Sequence, residues 1–187
     1  MPSDRSGNAA GVAGRFTLAA KLHAIFALFA LLTAAIAMLS DYNSRRSADL
    51  TSAIETANAA ALNVERVNSL VYAVVMESRG VYMSTEPAVV KKYGDGLLKF
   101  NAQILDVVRR WETIVRDDDA EQFATFKKRI EQFVEFRKEL VRRGVEINAA
   151  AGREWGDNDA NRSVRSALNK DLEALSKVYA ERAKQIA

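Results

Sequence analysis

Residues 50–82 read LTSAIETANAAALNVERVNSLVYAVVMESRGVY, a stretch without a proline. Within it Leu50, Ile54, Ala57, Ala61, Val64, Asn68, Val71, Val75, Ser78 and Tyr82 recur at alternating spacings of four and three. That period holds a stripe on one face of an α-helix, whereas a strand needs alternation at every second residue. A long helix with one apolar stripe gains its stability by packing that stripe, in the manner of a coiled-coil seam. The stretch therefore predicts partner helices, and the sequence on its C-terminal side supplies them.

Pro87 disfavours helical geometry at Glu86 and suits the first turn of a new helix, with Thr85 or Glu86 as its cap. Beyond it Tyr93, Leu97, Phe100, Ile104, Val107, Trp111 and Ile114 keep the same spacings. They outweigh Gly94 and Gly96, each of which weakens a helix interior by about 1 kcal/mol. Asp117-Asp118-Asp119 then breaks the pattern, and Asp118 with Glu121 has the form of a capping box. A third stripe follows in Phe123, Phe126, Ile130, Phe133, Leu140 and Ile147, with Arg137 and Gly144 as imperfect members. After the caps Asp157, Asn158 and Asp159 comes a fourth, Val164, Leu168, Leu172, Leu175, Val178 and Tyr179. The expected fold is all-α, an antiparallel up-down-up-down four-helix bundle with helices over about residues 41–84, 87–116, 119–151 and 158–187.

On the N-terminal side, Leu22 to Leu39 is an 18-residue apolar run whose only ionisable member is His23. Extended back to Phe16 it has 24 residues, about 36 Å of helix against a hydrocarbon core of roughly 30 Å. Lys21 sits near the helix end, where its stem can snorkel to the interface. Ala35-Ile36-Ala37 has the small-x-small form of a signal cleavage site, but it lies far from the start and follows an overlong apolar segment, so an uncleaved anchor is the preferred reading. The expected organisation is a cytoplasmic tail over 1–15, a transmembrane helix over 16–39 and an extracytoplasmic sensor domain over 40–187. Arg5, Arg15 and Lys21 precede the span while Arg45 and Arg46 follow it, so charge counting orients it only weakly. Helix one runs for roughly 65 Å beyond the anchor and helix four for about 44 Å, which leads us to expect a piece of a longer protein.

Composition excludes several function classes. The 187 residues carry 27 Lys plus Arg against 24 Asp plus Glu, a net charge of +3. Lys127-Lys128-Arg129 and Arg142-Arg143 are interspersed with Glu121, Glu131, Glu135, Glu139 and Glu146 at ion-pairing spacings, so no nucleic-acid surface is expected. There is no Cys and one His, which removes thiolate chemistry, haem attachment, the Glu-x-x-His di-iron motif and Ser/His/Asp catalysis from the body of the chain. Neither catalytic residues, a metal site nor a cofactor is expected; the Asp117 to Asp119 cluster reads as a helix cap and the Phe123, Phe126, Phe133 and Phe136 cluster as core.

In an antiparallel bundle the distal end gathers Arg79, Tyr72, Met76 and Tyr82 from helix one with Tyr93, Asn148, Trp155, Asn158 and Arg162 from the other segments. Arginine forks onto a carboxylate with two parallel hydrogen bonds, and Tyr, Asn or Trp can orient the rest of a small ligand. A small anionic molecule, an organic or amino acid, is the expected ligand. Each of these side chains also has an ordinary reading: Arg79 paired with Glu77, Glu86 or Glu154, and Tyr72 and Trp155 capping the core. Arg79 is the strongest candidate because small Ser78 and Gly80 flank it.

With Phe16-Thr17-Leu18-Ala19-Ala20-Lys21-Leu22 leading into the anchor, Glu77-Ser78-Arg79-Gly80-Val81-Tyr82-Met83-Ser84 at the first turn and Gly156-Asp157-Asn158-Asp159-Ala160-Asn161-Arg162 before helix four, the chain resembles the N-terminal sensory region of an alphaproteobacterial methyl-accepting chemotaxis protein. The resemblance implies a periplasmic, homodimeric sensor in the inner membrane that binds a small ligand and relays a helix displacement. The second span, HAMP relay and kinase-contacting hairpin of such receptors are absent from this sequence, so kinase coupling needs a missing C-terminal region. The same module on a histidine kinase or a cyclic-nucleotide enzyme, or a membrane-anchored dimerising scaffold, are the alternatives. Ala53, Ala57, Ala60 and Ala61 on helix one are the small residues expected to permit a dimer seam, unless they face inward.

Overall fold

The computed structural model describes residues 17–186, so the expected cytoplasmic tail over 1–15 and the start of the anchor at Phe16 lie outside the described residues. The order is α1 (Leu18–Met83), α2 (Pro87–Glu112), a 3-10 turn (Asp117–Asp119), α3 (Ala120–Glu146), α4 (Ala149–Gly156) and α5 (Asp159–Ile186). No strand occurs among the described residues, and the protein is all-α. The described residues fall into two compact units, divided between Asp49 and Leu50.

In the first unit, one helical segment is long and apolar enough to cross a membrane, and none of its apolar window is buried by protein. Its polar side chains are satisfied along the helix itself. Thr33 Oγ1 donates to the Phe29 carbonyl at 2.8 Å, and His23 Nδ1 lies 2.7 Å from the Ala19 carbonyl. Such internal pairing is what an apolar solvent demands of a polar group.

The second unit is built around one core to which α1, α2, α3 and α5 all contribute. Neighbouring helices pair antiparallel. Glu77 faces Gly96 and Gly80 faces Tyr93 between α1 and α2, while Glu112 pairs with Lys127 and Gly94 faces Val141 between α2 and α3. Between α3 and α5, Arg129 meets Asp171, and Asp119 just ahead of α3 meets Arg182. The buried face of α1 follows Ala60, Val64, Val67, Val71, Val74, Ser78 and Val81. The seam keeps the expected alternation of four and three, but its centre is rotated: Ala61, Asn68, Val75 and Tyr82 are half-buried at its edge, and Leu50 is exposed. Burial on α1 is shared among several partners, and one stripe read alone does not locate its midline.

Three expected boundaries are corrected. The second helix stops at Glu112, four residues before the expected 116, with Thr113 as its C-cap. The third stops at Glu146 and does not continue to 151; Ile147, expected in its stripe, is exposed. Asn148 takes an extended backbone and its Oδ1 accepts from the Ala151 amide at 2.9 Å, starting the separate helix α4 across residues expected to be the helix end and a loop. The fold-back is possible because Gly144 and Gly152 face each other: a Cβ on Gly152 would stand 3.0 Å from the Gly144 Cα. The expected capping box at Asp118 also does not form. Asp119 is the N-cap residue of α3, makes no capping bond, and uses its carboxylate for Arg182.

Candidate functional site

A polar cleft of about 330 Å³ opens where α1, α3, the end of α4 and the start of α5 converge, lined by Val75, Ser78, Arg79, Tyr82, Arg137, Gly156, Asp157, Asn161, Arg162 and Arg165. Each wall follows from local sequence. Ser78 and Tyr82 are one turn apart on α1, and Ser78 Oγ donates to the Val74 carbonyl at 2.8 Å, so its hydroxyl proton is already committed. Asn158 caps α5, its Oδ1 accepting from the Asn161 amide at 2.9 Å and from Asn161 Nδ2 at 3.1 Å. That cap fixes the turn from which Arg162 and Arg165 project. Gly156 leaves the space filled by the Tyr82 phenol, since a Cβ there would overlap the Tyr82 hydroxyl and press on Leu140 Cδ1 at 2.7 Å.

Arg137 is the unusual group. It occupies an apolar-stripe position of α3 and is only 4% exposed. Its Nη1 donates to the Tyr82 hydroxyl across a long 3.4 Å, its guanidinium lies 5.1 Å from the centre of the Phe133 ring, and its Nε has no hydrogen-bond partner. No carboxylate pairs with it among the described residues. Burial lowers its pKa and the neighbouring Arg165 adds to that shift, while the Tyr82 contact and, more weakly, the Asp157 charge oppose it. Burial in turn raises the Tyr82 pKa, against the pull of the Arg137 charge, so the phenol stays a neutral donor. A buried arginine without a counter-charge has given up its hydration for little return.

The rim adds further positive charge. Arg79 is exposed and its nearest polar contact is Met76 Sδ at 4.0 Å; the pairings with Glu77, Glu86 or Glu154 do not form. Arg165 is half-buried and also has no carboxylate partner. Arg162 pairs with Asp159 at 2.6 Å. Against four arginines the lining offers one carboxylate, Asp157.

Of the residues picked from sequence, Arg79, Tyr82 and Arg162 line this cleft. The others do not. Tyr72 and Met76 are 62% and 60% exposed and lie outside the cleft lining, and Tyr93 lies over Gly80 from α2. Trp155 donates its Nε1 to the Phe136 carbonyl at 3.0 Å and stacks against Arg143 at 4.4 Å, so it is a packing residue. Asn148 and Asn158 are helix caps. Arg137, Arg165, Ser78, Asn161 and Asp157 were not picked. Arg137 carried the one available signal, a charge in a core stripe between Phe133 and Leu140.

A larger and shallower groove between α2 and α3, about 640 Å³, is lined by Lys91, Asp95, Glu135, Lys138, Glu139 and Arg142 among others. Its charges satisfy one another, with Lys91–Asp95 and Lys138–Glu135 at 2.6 Å and Arg142–Glu139 at 2.7 Å. Those pairs leave a ligand little to replace. Of the alanine stripe on α1, Ala57 and Ala60 are buried in the domain's own interior, while Ala53 and Ala61 are half-buried. Among the described residues no group of His, Cys, Asp or Glu is placed to hold a metal ion.

Comparison of the chain with models of known protein families, with curated proteins and with solved structures finds no match.

Proposed function

We propose that this chain is the ligand-sensing part of a transmembrane receptor of the chemoreceptor kind, and that it binds a small anion in the cleft around Arg137. On this reading the apolar segment of α1 spans the bacterial inner membrane. The helices of residues 50–187 form an up-down-up-down four-helix bundle in the periplasm, with α4 as an added turn between the third and fourth long helices. Binding that draws α1, α3 and α5 toward one anion favours one arrangement of those helices over another, and the difference is the signal.

The observation that supports the reading is the buried guanidinium of Arg137 with an unpartnered Nε and no paired carboxylate. An anion supplies the missing counter-charge and the forked hydrogen bonds that arginine is shaped to make. The test is a thermal-melt screen of the full chain in detergent micelles against organic acids, amino acids and aromatic acids. A saturable rise in Tm is expected for an acid, equivalent to about 2.7 kcal/mol at a hundred times its Kd. Arg137→Met should abolish that rise. A screen flat for every anion rejects the reading.

A further inference from the structure

The cleft holds its positive charge at two depths. Arg137, on α3, is buried at the floor beside the Tyr82 hydroxyl, whereas Arg79 on α1 and Arg162 on α5 are exposed at the rim, with Arg165 half-buried between. These side chains belong to three different helices, so they cannot collapse onto one point without moving the walls. Asp159, outside the cleft, already partners Arg162; Arg79, Arg137 and Arg165 have no carboxylate within ion-pairing distance among the described residues.

From this we infer that the ligand is a short-chain dicarboxylate, one carboxylate taken by Arg137 and Arg165 with the Tyr82 hydroxyl, the other by Arg79 at the mouth. The inference rests on the anion-sensor reading and names its ligand class. Three features favour two carboxylates over one acid group. The lining has four arginines against the single carboxylate of Asp157, so a monoanion leaves the excess charge uncompensated. A volume of about 330 Å³ is at the small end of ligand sites: it takes a small two-headed acid with a few waters, and is more space than a lone tetrahedral anion fills. The polar inventory also leans toward donors. The three unpaired arginines only donate, and the Tyr82 hydroxyl beside them is held by Arg137 and Ser78, against the one carboxylate of Asp157. A ligand that offers acceptors at both ends matches that inventory better than one with a single acid group.

The experiment is calorimetric titration of the full chain in nanodiscs with four probes: succinate, butyrate as its single-headed analogue of equal chain length, succinamide as the uncharged analogue, and inorganic phosphate. Succinate should bind at least tenfold more tightly than butyrate, succinamide should not bind, and phosphate should be weaker than succinate. Arg79→Ala, at an exposed position that leaves the core untouched, should bring succinate down to the level of butyrate while leaving butyrate itself within twofold. Arg137→Met should abolish both. Equal affinity for succinate and butyrate, or an equal loss of both in Arg79→Ala, overturns the two-headed assignment and leaves the anion site standing. Phosphate binding tighter than succinate does the same in favour of a compact anion. Absence of binding by any of the three anions overturns the assignment, and a screen in which no organic acid at all binds takes the sensor reading with it.

Discussion

One buried and one partly exposed arginine show how differently one residue type can be housed in the same helical domain. Near the turn between α2 and α3, Arg182 reaches from α5 to Asp119 with two hydrogen bonds, Nη1 to Oδ2 at 2.5 Å and Nη2 to Oδ1 at 2.8 Å. The Arg182 guanidinium also lies 5.7 Å from the centre of the Tyr179 ring, which packs in turn on the buried Trp111. That carboxylate raises the Arg182 pKa, whereas burial lowers that of Arg137. Arg182 is a completed structural tie between two segments distant in sequence. Arg137 is more deeply enclosed, has one long hydrogen bond to a phenol, and has no paired carboxylate among the described residues. A paired buried charge needs no ligand to explain it; an unpaired one does.

Cutting the tie should have the largest effect. Asp119→Ala leaves Arg182 without its partner and should cost about 3 kcal/mol or more, measured as a lower denaturation midpoint in urea. Arg137→Met keeps the side-chain length and removes the charge, and should move the ligand-free protein the other way, stabilising it by about 1–2 kcal/mol. Opposite signs at the two arginines are the signature of structure at one and function at the other. If both substitutions destabilise equally, the distinction between the two regions fails.

Gly156→Ala sharpens the same contrast from the cleft wall. The new methyl group takes the space of the Tyr82 hydroxyl, and should cost about 1–3 kcal/mol in thermal unfolding while displacing the phenol from Arg137. Its effect on ligand affinity should exceed that of a comparable overpacking change at Gly80, which meets the Tyr93 ring on the α2 side.

The smallest expected effect is on pH dependence. Burial raises the pKa of Tyr82 and of Tyr179 above 10.0. Above that value the unfolded chain releases phenolic protons that the folded chain retains, so stability is full below pH 10 and declines as pH rises beyond it. A spectrophotometric titration should show Tyr82 and Tyr179 ionising later in the native protein than in urea. Tyr82→Phe should remove one of the two late steps, and bound dicarboxylate, whose charge disfavours a phenolate, should delay the Tyr82 step further.

How much of this was legible before folding differs between core and site. The stripes through Leu97, Ile104 and Trp111, through Phe126, Ile130 and Phe133, and through Leu168, Leu172 and Leu175 are all buried as the spacing required, because burial of a stripe follows from periodicity and the hydrophobic effect alone. The break at Asn148 was harder. Asn158 was legible as a cap because a periodic stripe follows it, whereas Asn148 looks like any polar tip residue and only the capped amide of Ala151 shows it to be a helix start. Tyr72 and Met76 share a face of α1 with Arg79, but they lie one to two turns before it, short of the point where α3 and α5 close on the helix to form the cleft.

By itself, then, the sequence determined an all-α chain, an apolar segment fit to cross a membrane, helices that begin at Pro87 and after Asp157, and the exclusion of thiol and histidine chemistry from the body. Tertiary structure alone decided which charges are answered. Asp119 and Arg182 lie 63 positions apart and meet; Arg137 and Tyr82 lie 55 apart and meet only loosely, with Arg165 close enough to repel. Periodicity is a property of neighbours along the chain and can be read from it, whereas the balance of charge in a cleft depends on which distant turns are brought together, and that is fixed by the packing of every helix at once.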